Sequence, residues 1–205
     1  ADSVDLFAAT ALCMRPNDSK IYRRSMYWIP QKVLDIAALN GDRKERDNVP
    51  YSLWVKQGFM RAYPGHKVDK RVALEWFKEL REDGLYVLYI GYDKWHIDDT
   101  LLAEFKAEFG ERAMIPIIQG KRTLSQPMHD LKADLRAGLL VDNNNPIDKM
   151  CLLNTCVDTD INGNIQPVKT IDPRKRIDGT VALICAYKVL NDKKDEILRM
   201  NEEAQ

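Results

Sequence analysis

An aspartate at the end of an apolar run is the first residue whose position suggests chemistry. The run covers residues 85–95, LYVLYIGYDKW, and Asp93 lies close to its end. Aliphatic and aromatic residues that follow a helical pattern and a glycine predict a buried strand. Open α/β sheets bind their ligands beyond the carboxyl ends of their strands. Asp93 is therefore either a cap for the following turn or helix, or a ligand of a metal ion.

The elements that position Asp93 alternate along the chain. The first two predicted strands form an antiparallel hairpin, and Asn162-Gly163 marks the turn of a second hairpin within residues 158–169. Further strands are predicted at 114–118 and 139–141, after the first pair at 4–14 and 21–29. Apolar periodicity predicts helices at 31–39, 49–60 (short, with a turn), 68–81, 98–109, 125–137, 146–154 and 180–190, the last with a charged helical tail. The predicted connections include an exposed charged segment at 40–48, a turn at 62–66 and a basic loop at 120–123.

Composition narrows the class of protein. The chain has 205 residues, which fit one large domain, and we expect a single domain over 1–205. Lysine plus arginine and aspartate plus glutamate number 31 each, so no global basic field indicates nucleic acid. No apolar run is long enough to span a membrane, and the N-terminus does not resemble a signal peptide. The four cysteines lack paired CxxC spacing, which indicates reduced thiols in a cytosolic protein.

The order of the elements suggests a ribonuclease H-like α/β fold. A hairpin comes first, strands and helices then alternate, and Asp178 opens the last long helix. We predict a mixed central sheet flanked by helices, with an added β-hairpin. Several segments also resemble the C-terminal nuclease half of tailed-phage terminase large subunits, and their order covers nearly the whole chain. These segments are VDLFAATAL (4–12), PYSLWVKQGFMRAYPGHKVDK (50–70), GYDKW (91–95), NNPIDKMCLLN (144–154), GNIQPVKTID (163–172) and RIDGTVALICAY (176–187).

The resemblance implies a metal-dependent endonuclease that cuts concatemeric phage DNA during packaging in the host cytoplasm. Its implied partners are double-stranded DNA and, in the full protein, an ATPase domain, the terminase small subunit and the portal. The chain contains no GxxxxGK[ST] phosphate loop, so we expect the ATPase domain to be absent and this chain not to hydrolyse ATP.

The resemblance also implies three acidic metal ligands. Asp93 matches the acid after the central strand, and Asp178 matches the acid at the start of the final helix. The third acid belongs to a first-strand pattern like GxDxxxxxDL. Aligning Asp5 with its second aspartate places the first one upstream of Ala1, and Asp5 or Asp2 is the candidate substitute. Carboxylates suit Mg²⁺ or Mn²⁺, and two such ions can hold the attacking water and the leaving oxygen of phosphodiester hydrolysis.

Basic residues are candidates for DNA contact. Lys169 occupies a family-like position, while Lys67, Lys121 and Arg122, with Lys70 and Arg71, are candidates for phosphate contact. The competing interpretation is that these charged side chains are simply solvated. His96 lies near Asp93 in the sequence, so it is either a residue that approaches the metal ions or a surface histidine, which is the favoured interpretation. Asn154 either orients the site or, as the favoured interpretation, is a structural amide. Packing roles are expected for Trp28, Trp54 and Trp76.

Two other classes of function remain open. One is a ribonuclease H-like nuclease or resolvase unrelated to packaging, which junction-selective cleavage would distinguish. The other is a non-catalytic docking module of the packaging motor, which loss of the first acidic residue would favour.

Overall fold

The computed structural model describes residues 6–39, 49–170, 172 and 175–203. Within these ranges the strands are β1 (Phe7–Met14), β2 (Ile21–Pro30), β3 (Arg61–Tyr63), β4 (Ile90–Asp93), β5 (Met114–Ile117), β6 (Leu140–Val141), β7 (Thr155–Thr159) and β8 (Ile165–Lys169). The helices are α1 (Gln31–Leu39), α2 (Tyr51–Lys56), α3 (Arg71–Glu82), α4 (Asp99–Phe109), α5 (Lys121–Arg136), α6 (Pro146–Asn154) and α7 (Asp178–Glu203), with a 3-10 turn at Glu111–Ala113. None of these helices is both long and apolar enough to cross a bilayer.

The described strands form three separate sheets in a mixed α/β arrangement. The largest has β1 antiparallel to β2, and β2 parallel to β3 at one end and to β6 at the other. β4 and β5 form a parallel pair, and β7 and β8 form the antiparallel hairpin predicted from Asn162-Gly163. No ladder joins β1 to β4 within the described ranges. A mixed sheet is present, as predicted, but the strands of the chain are divided among three sheets rather than joined in one.

Apolar side chains of β2 point alternately to the two faces of the large sheet, and helices pack on both faces. Trp28 packs in a core cluster with Trp76 and Leu80 of α3, while its neighbours Tyr27 and Ile29 pack in a different cluster. Successive strand residues point to opposite faces, so one strand supports two cores. A third cluster joins α5 and α7 around Leu124, Met128, Leu131, Leu183, Ile184, Tyr187 and Leu190. The expectation that Trp28, Trp54 and Trp76 are packing residues is confirmed, because all three are buried.

Two helices begin with a side-chain cap. The Asp98 carboxylate accepts a hydrogen bond from the Leu101 amide at 2.8 Å, as expected for an N-cap of α4. The Asn145 side chain caps α6 by accepting from the Ile147 amide at 2.9 Å, and Pro146 fills the first helical position.

Several local predictions were wrong. Residues 121–123, predicted as part of a basic loop, form the first turn of α5. The predicted turn at 62–66 contains part of β3, which pairs with β2. The predicted strand over 85–95 is confirmed only for β4, since residues 85–89 have no ladder partner. Residues 40–48 lie outside the described ranges, so the exposed segment predicted there is not described.

A buried ionic cluster fixes the start of α7 beneath the sheet. Arg23 and Asp148 are 3% and 2% exposed, and Arg23 Nη2 lies 2.8 Å from Asp148 Oδ1. The same nitrogen donates to the Gly179 carbonyl at 3.3 Å, and the Tyr27 hydroxyl donates to Asp148. Burial, followed by the charge of Asp148, raises the pKa of Tyr27, so its phenol remains a donor. The cluster thereby links β2, α6 and the first turn of α7.

Gly179 allows this close approach. A Cβ at this position would lie 2.0 Å from the Tyr27 hydroxyl oxygen, and the Tyr27 side chain is itself fully buried. A larger residue would have to displace either the ring or the start of α7.

The Asp148→Asn substitution should lower the free energy of unfolding by about 3–5 kcal/mol, because it leaves the Arg23 charge buried without a counter-ion. The matched control is Asp83→Asn, whose partner Arg24 lies 3.0 Å away in an ion pair with both side chains more than half exposed. That control should cost less than about 1 kcal/mol. Urea denaturation followed by tryptophan fluorescence measures both. Equal, small losses would contradict the importance of the buried cluster.

The Gly179→Ala substitution should cost about 1–3 kcal/mol through overpacking against Tyr27, even though alanine favours helix. Gly120→Ala is the control, since a Cβ at Gly120 meets no atom within 4 Å. Thermal unfolding of the two variants measures the difference. If Gly179→Ala were as stable as the control, the start of α7 would not be restrained by Tyr27.

Candidate functional site

Asp93 and Asp178 line one cavity of about 920 Å³. β4 carries Asp93 to its carboxyl end, and α7 begins at Asp178, so residues 85 positions apart in the chain face the same space. Lys169 at the end of β8, Lys70 and His96 also line this cavity. Both acids that the sequence singled out therefore line the same cavity.

Asp93 is held by its own turn. Its Oδ1 accepts a hydrogen bond from the Trp95 amide at 3.0 Å, and its Oδ2 lies 2.7 Å from His96 Nδ1. Its side chain is 21% exposed, so the carboxylate is restrained without being sealed from solvent. A carboxylate has about four lone-pair sites, and these contacts occupy two. The capping interpretation of Asp93 is therefore correct, and it leaves room for a further ligand.

Asp178 is half-buried at the first position of α7. A helix N-terminus stabilises negative charge. The segment that leads into α7 is fixed by Asn154, whose Nδ2 donates to the Arg176 carbonyl at 3.2 Å. The expected structural role of Asn154 is confirmed by this contact. The position of Asp178 therefore depends on α6 and β2 as well as on its own helix.

Two thiols near the acids are kept protonated. Burial and then the charge of Asp93 raise the pKa of Cys185 to about 12. Burial also raises the pKa of Cys151 to about 12, with a smaller contribution from Asp178 and an opposing hydrogen bond from the Gly179 backbone. Both thiols are therefore protonated at neutral pH. All four cysteines are free thiols, as predicted.

The predicted DNA-contacting residues separate into two groups. Lys169 is exposed and lines the same cavity as the two acids. Lys67, Lys121 and Arg122 are not among the lining residues. Lys121 instead forms a 2.8 Å ion pair with Asp158 of β7, which ties α5 to the hairpin. Lys67 and Arg122 are exposed, so for them contact with DNA stays a prediction.

The donor chemistry suits a hard divalent cation. Mg²⁺ is commonly bound by one or two carboxylates, with water and substrate phosphate completing its coordination, and two carboxylates face this cavity. Within the described residues, no group of three or more histidine, cysteine, aspartate or glutamate side chains could hold a metal ion. Asp5 and Asp2, the candidates for the third acid, lie outside the described residues.

Sequence reasoning missed the ionic cluster below the site. Arg23 and Tyr27 lie four positions apart on β2 and so share a face. Two adjacent arginines in β2, which point to opposite faces of the sheet, were the available signal, but nothing in the sequence identified Asp148 as the partner of Arg23. Lys70, which was predicted as a candidate for phosphate contact, lines the cavity and donates to the His96 carbonyl.

A family model and a curated relative both identify the terminase large subunit as the protein that this chain resembles. The family model "Terminase large subunit, endonuclease domain" matches residues 3–193. The large terminase subunit of Enterobacteria phage HK97 is 27% identical, over 83% of this chain and 32% of that protein. Protein YmfN of Escherichia coli (strain K12) is also 27% identical, over 96% of this chain and 43% of that protein. The chain therefore spans less than half the length of these relatives.

The fold is also similar to a solved structure. The crystal structure of the HK97 bacteriophage large terminase superposes with a TM-score of 0.69 at 21% identity, covering 92% of this chain and 40% of that one. This likeness supports the mixed α/β fold. Because the family model matches nearly the whole chain, the chain belongs to the terminase large subunit endonuclease domain family.

Proposed function

We propose that this chain is a divalent-metal-dependent endodeoxyribonuclease with a ribonuclease H-like fold. The observation that carries the proposal is that Asp93 and Asp178, which are 85 positions apart in the chain, line one cavity. The order of a hairpin, a parallel strand pair and a final helix packed against β1 and β4 supports the fold assignment. Family membership supports the nuclease activity.

In this proposal Asp93 and Asp178 bind Mg²⁺ or Mn²⁺, and Asp5 or an acid upstream of it completes the ligand set for two ions. When bound, such ions activate the attacking water and stabilise the leaving oxygen of the phosphodiester. His96 and the Trp95 amide orient the Asp93 carboxylate. Lys169, exposed at the edge of the cavity, is placed to contact a DNA phosphate.

The biological setting proposed is viral DNA packaging. The chain would cut concatemeric double-stranded DNA in the host cytoplasm, as part of a longer protein that carries an ATPase domain. The terminase small subunit and the portal are the further partners proposed. These roles rest on family membership, because the chain spans less than half of the relatives described above.

Asp178→Asn and Asp93→Asn should each reduce metal-dependent cleavage of plasmid DNA by more than about 100-fold, since loss of even an outer-shell partner costs about 10–100-fold. The assay compares Mg²⁺, Mn²⁺ and EDTA, using this chain and the gene product that contains it. Asp99→Asn, which changes an exposed acid in the first turn of α4, is the matched control and should keep full activity.

The outcome of that assay also separates the other classes of function. Cleavage that persists in EDTA, or in the Asp178→Asn variant, would remove the proposed metal site. Absence of cleavage by the wild-type gene product with either metal would favour a docking module. Preference for branched over linear DNA would favour a resolvase.

His96→Ala should raise the Mn²⁺ concentration needed for half-maximal cleavage by about 10–100-fold, because the Asp93 carboxylate loses one of its two restraints. Activity at saturating Mn²⁺ should largely recover. His129→Ala, at an exposed position on α5, serves as the control. An unchanged metal requirement in the His96 variant would show that this histidine does not orient the site.

A further inference from the structure

Trp95 differs from the other three tryptophans in its exposure to solvent. Trp95 is 67% exposed, whereas Trp28, Trp54 and Trp76 are buried. Tryptophan carries more apolar area than most side chains, and that area stabilises a protein only when it is covered. Single exposed apolar residues are nevertheless common on protein surfaces, so exposure alone assigns no function. The position of Trp95 in the fold and the groups beside it carry the inference.

Trp95 lies on the turn that carries the proposed metal ligand Asp93. Its amide donates to Asp93 Oδ1 at 3.0 Å. Two residues along a chain span at most about 7 Å between their Cα atoms. Each strand of DNA rises about 3.4 Å per nucleotide. A phosphodiester held at Asp93 therefore has its neighbouring nucleotides within reach of the Trp95 ring.

The backbone of this turn is held at several points. The Asp93 carbonyl accepts a hydrogen bond from the His96 amide at 3.2 Å, and the Lys94 amide donates to the Ile117 carbonyl at 3.1 Å. The Lys70 ammonium donates to the His96 carbonyl from the start of α3. A ring presented on a restrained backbone loses less conformational entropy when it binds than a ring on a free loop.

A positive charge lies beside the exposed ring. Lys94 Nζ is 5.4 Å from the centroid of the Trp95 ring, and both side chains are exposed. Asp93 and His96 line the cavity described above, whereas Lys94 and Trp95 do not, so this pair lies outside it. Proteins that bind single DNA strands combine cations that follow the backbone with aromatic rings on which bases stack. An apolar protein partner would instead desolvate the lysine at a cost. The pair therefore favours a DNA strand.

We propose that Trp95 is a substrate-binding residue that stacks on an unpaired base of the strand being cut, while Lys94 contacts an adjoining phosphate. The inference rests on the proposed nuclease function and names the form of DNA that its site recognises. Stacking tolerates any sequence, because every base has a π face. Exposing a base costs least where it is mismatched or already single-stranded. The contact therefore directs cleavage to locally unpaired DNA.

Binding measured in EDTA tests the contact without cleavage. Fluorescence anisotropy compares a labelled single-stranded oligonucleotide with its fully paired duplex, using the gene product that contains this chain. Trp95→Ala should weaken binding of the single strand by about 5–100-fold, and binding of the duplex by less. Trp95→Phe keeps a stacking face and should retain most of the affinity. Leu135→Ala, which removes an exposed apolar side chain near the end of α5, is the control. Equal affinity of wild type and Trp95→Ala for the single strand would overturn the proposal.

Acrylamide quenching shows whether the ring itself is covered. The difference between wild type and Trp95→Phe isolates the fluorescence of Trp95 from that of the other tryptophans. This signal should be quenched readily in the free gene product and shielded when the single strand binds. A ring that stays accessible with DNA bound would overturn the stacking contact. A ring already shielded without DNA would assign it to a protein contact and overturn the proposal equally.

Cleavage kinetics distinguish failure of this inference from failure of the nuclease proposal. Trp95→Ala keeps the amide that bonds Asp93, so the Mn²⁺ requirement should be unchanged while KM for DNA with an unpaired site rises. A raised Mn²⁺ requirement would mean that the ring orients Asp93, and would contradict substrate contact. Normal cleavage with unchanged KM in Trp95→Ala would overturn this inference alone. Trp95-dependent binding without cleavage by wild type in either metal would support the strand contact and overturn the nuclease proposal.

Discussion

The packing of α7 against both β1 and β4 is the interaction on which the arrangement depends. Because no ladder joins those strands within the described ranges, the helix holds the two parts of the sheet in place. The close contact of Gly91 with α7 shows how tight this packing is, since a Cβ there would lie 2.6 Å from a Val189 methyl group. The same helix presents Asp178 to the cavity that Asp93 lines.

The start of α7 is fixed at an energetic cost. A buried ion pair gains little net stability, since desolvation of two charges offsets most of their attraction, but removing one partner is strongly destabilising. Here the Arg23–Asp148 pair also bonds the Gly179 carbonyl, next to the proposed ligand. Functional side chains need rigid support to bind a metal in a defined geometry. The cluster gives the first turn of α7, and with it Asp178, that support.

Local signals in the sequence predicted much of the fold. The strand pattern of β2, the periodicity of α4 and α6, and the Asn-Gly turn are each determined by neighbouring residues, so they could be recognised without tertiary information. Family resemblance, rather than periodicity, singled out Asp178. The helix predicted over 125–137 begins four residues earlier, at Lys121. The start was missed because the capping residue is Gly120, which has no side chain to mark a helix N-terminus.

Long-range pairing was not predictable in the same way. β3 has three residues and exists because β2 offers it an edge, and the Arg23–Asp148 pair joins segments 125 positions apart. The predicted strand before Asp93 has the right composition, yet composition cannot supply a hydrogen-bonding neighbour. Its residues 85–89 remain outside any ladder. Strand formation depends on its partners as much as on its own residues.

The most direct test of the central claim is the anomalous diffraction signal of crystals of the gene product grown with Mn²⁺. The account predicts a manganese peak between the carboxylates of Asp93 and Asp178, with oxygen distances of roughly 2.0–2.2 Å, close to those of Mg²⁺. A manganese peak elsewhere, with both carboxylates bonded only to protein, would contradict the proposed metal site.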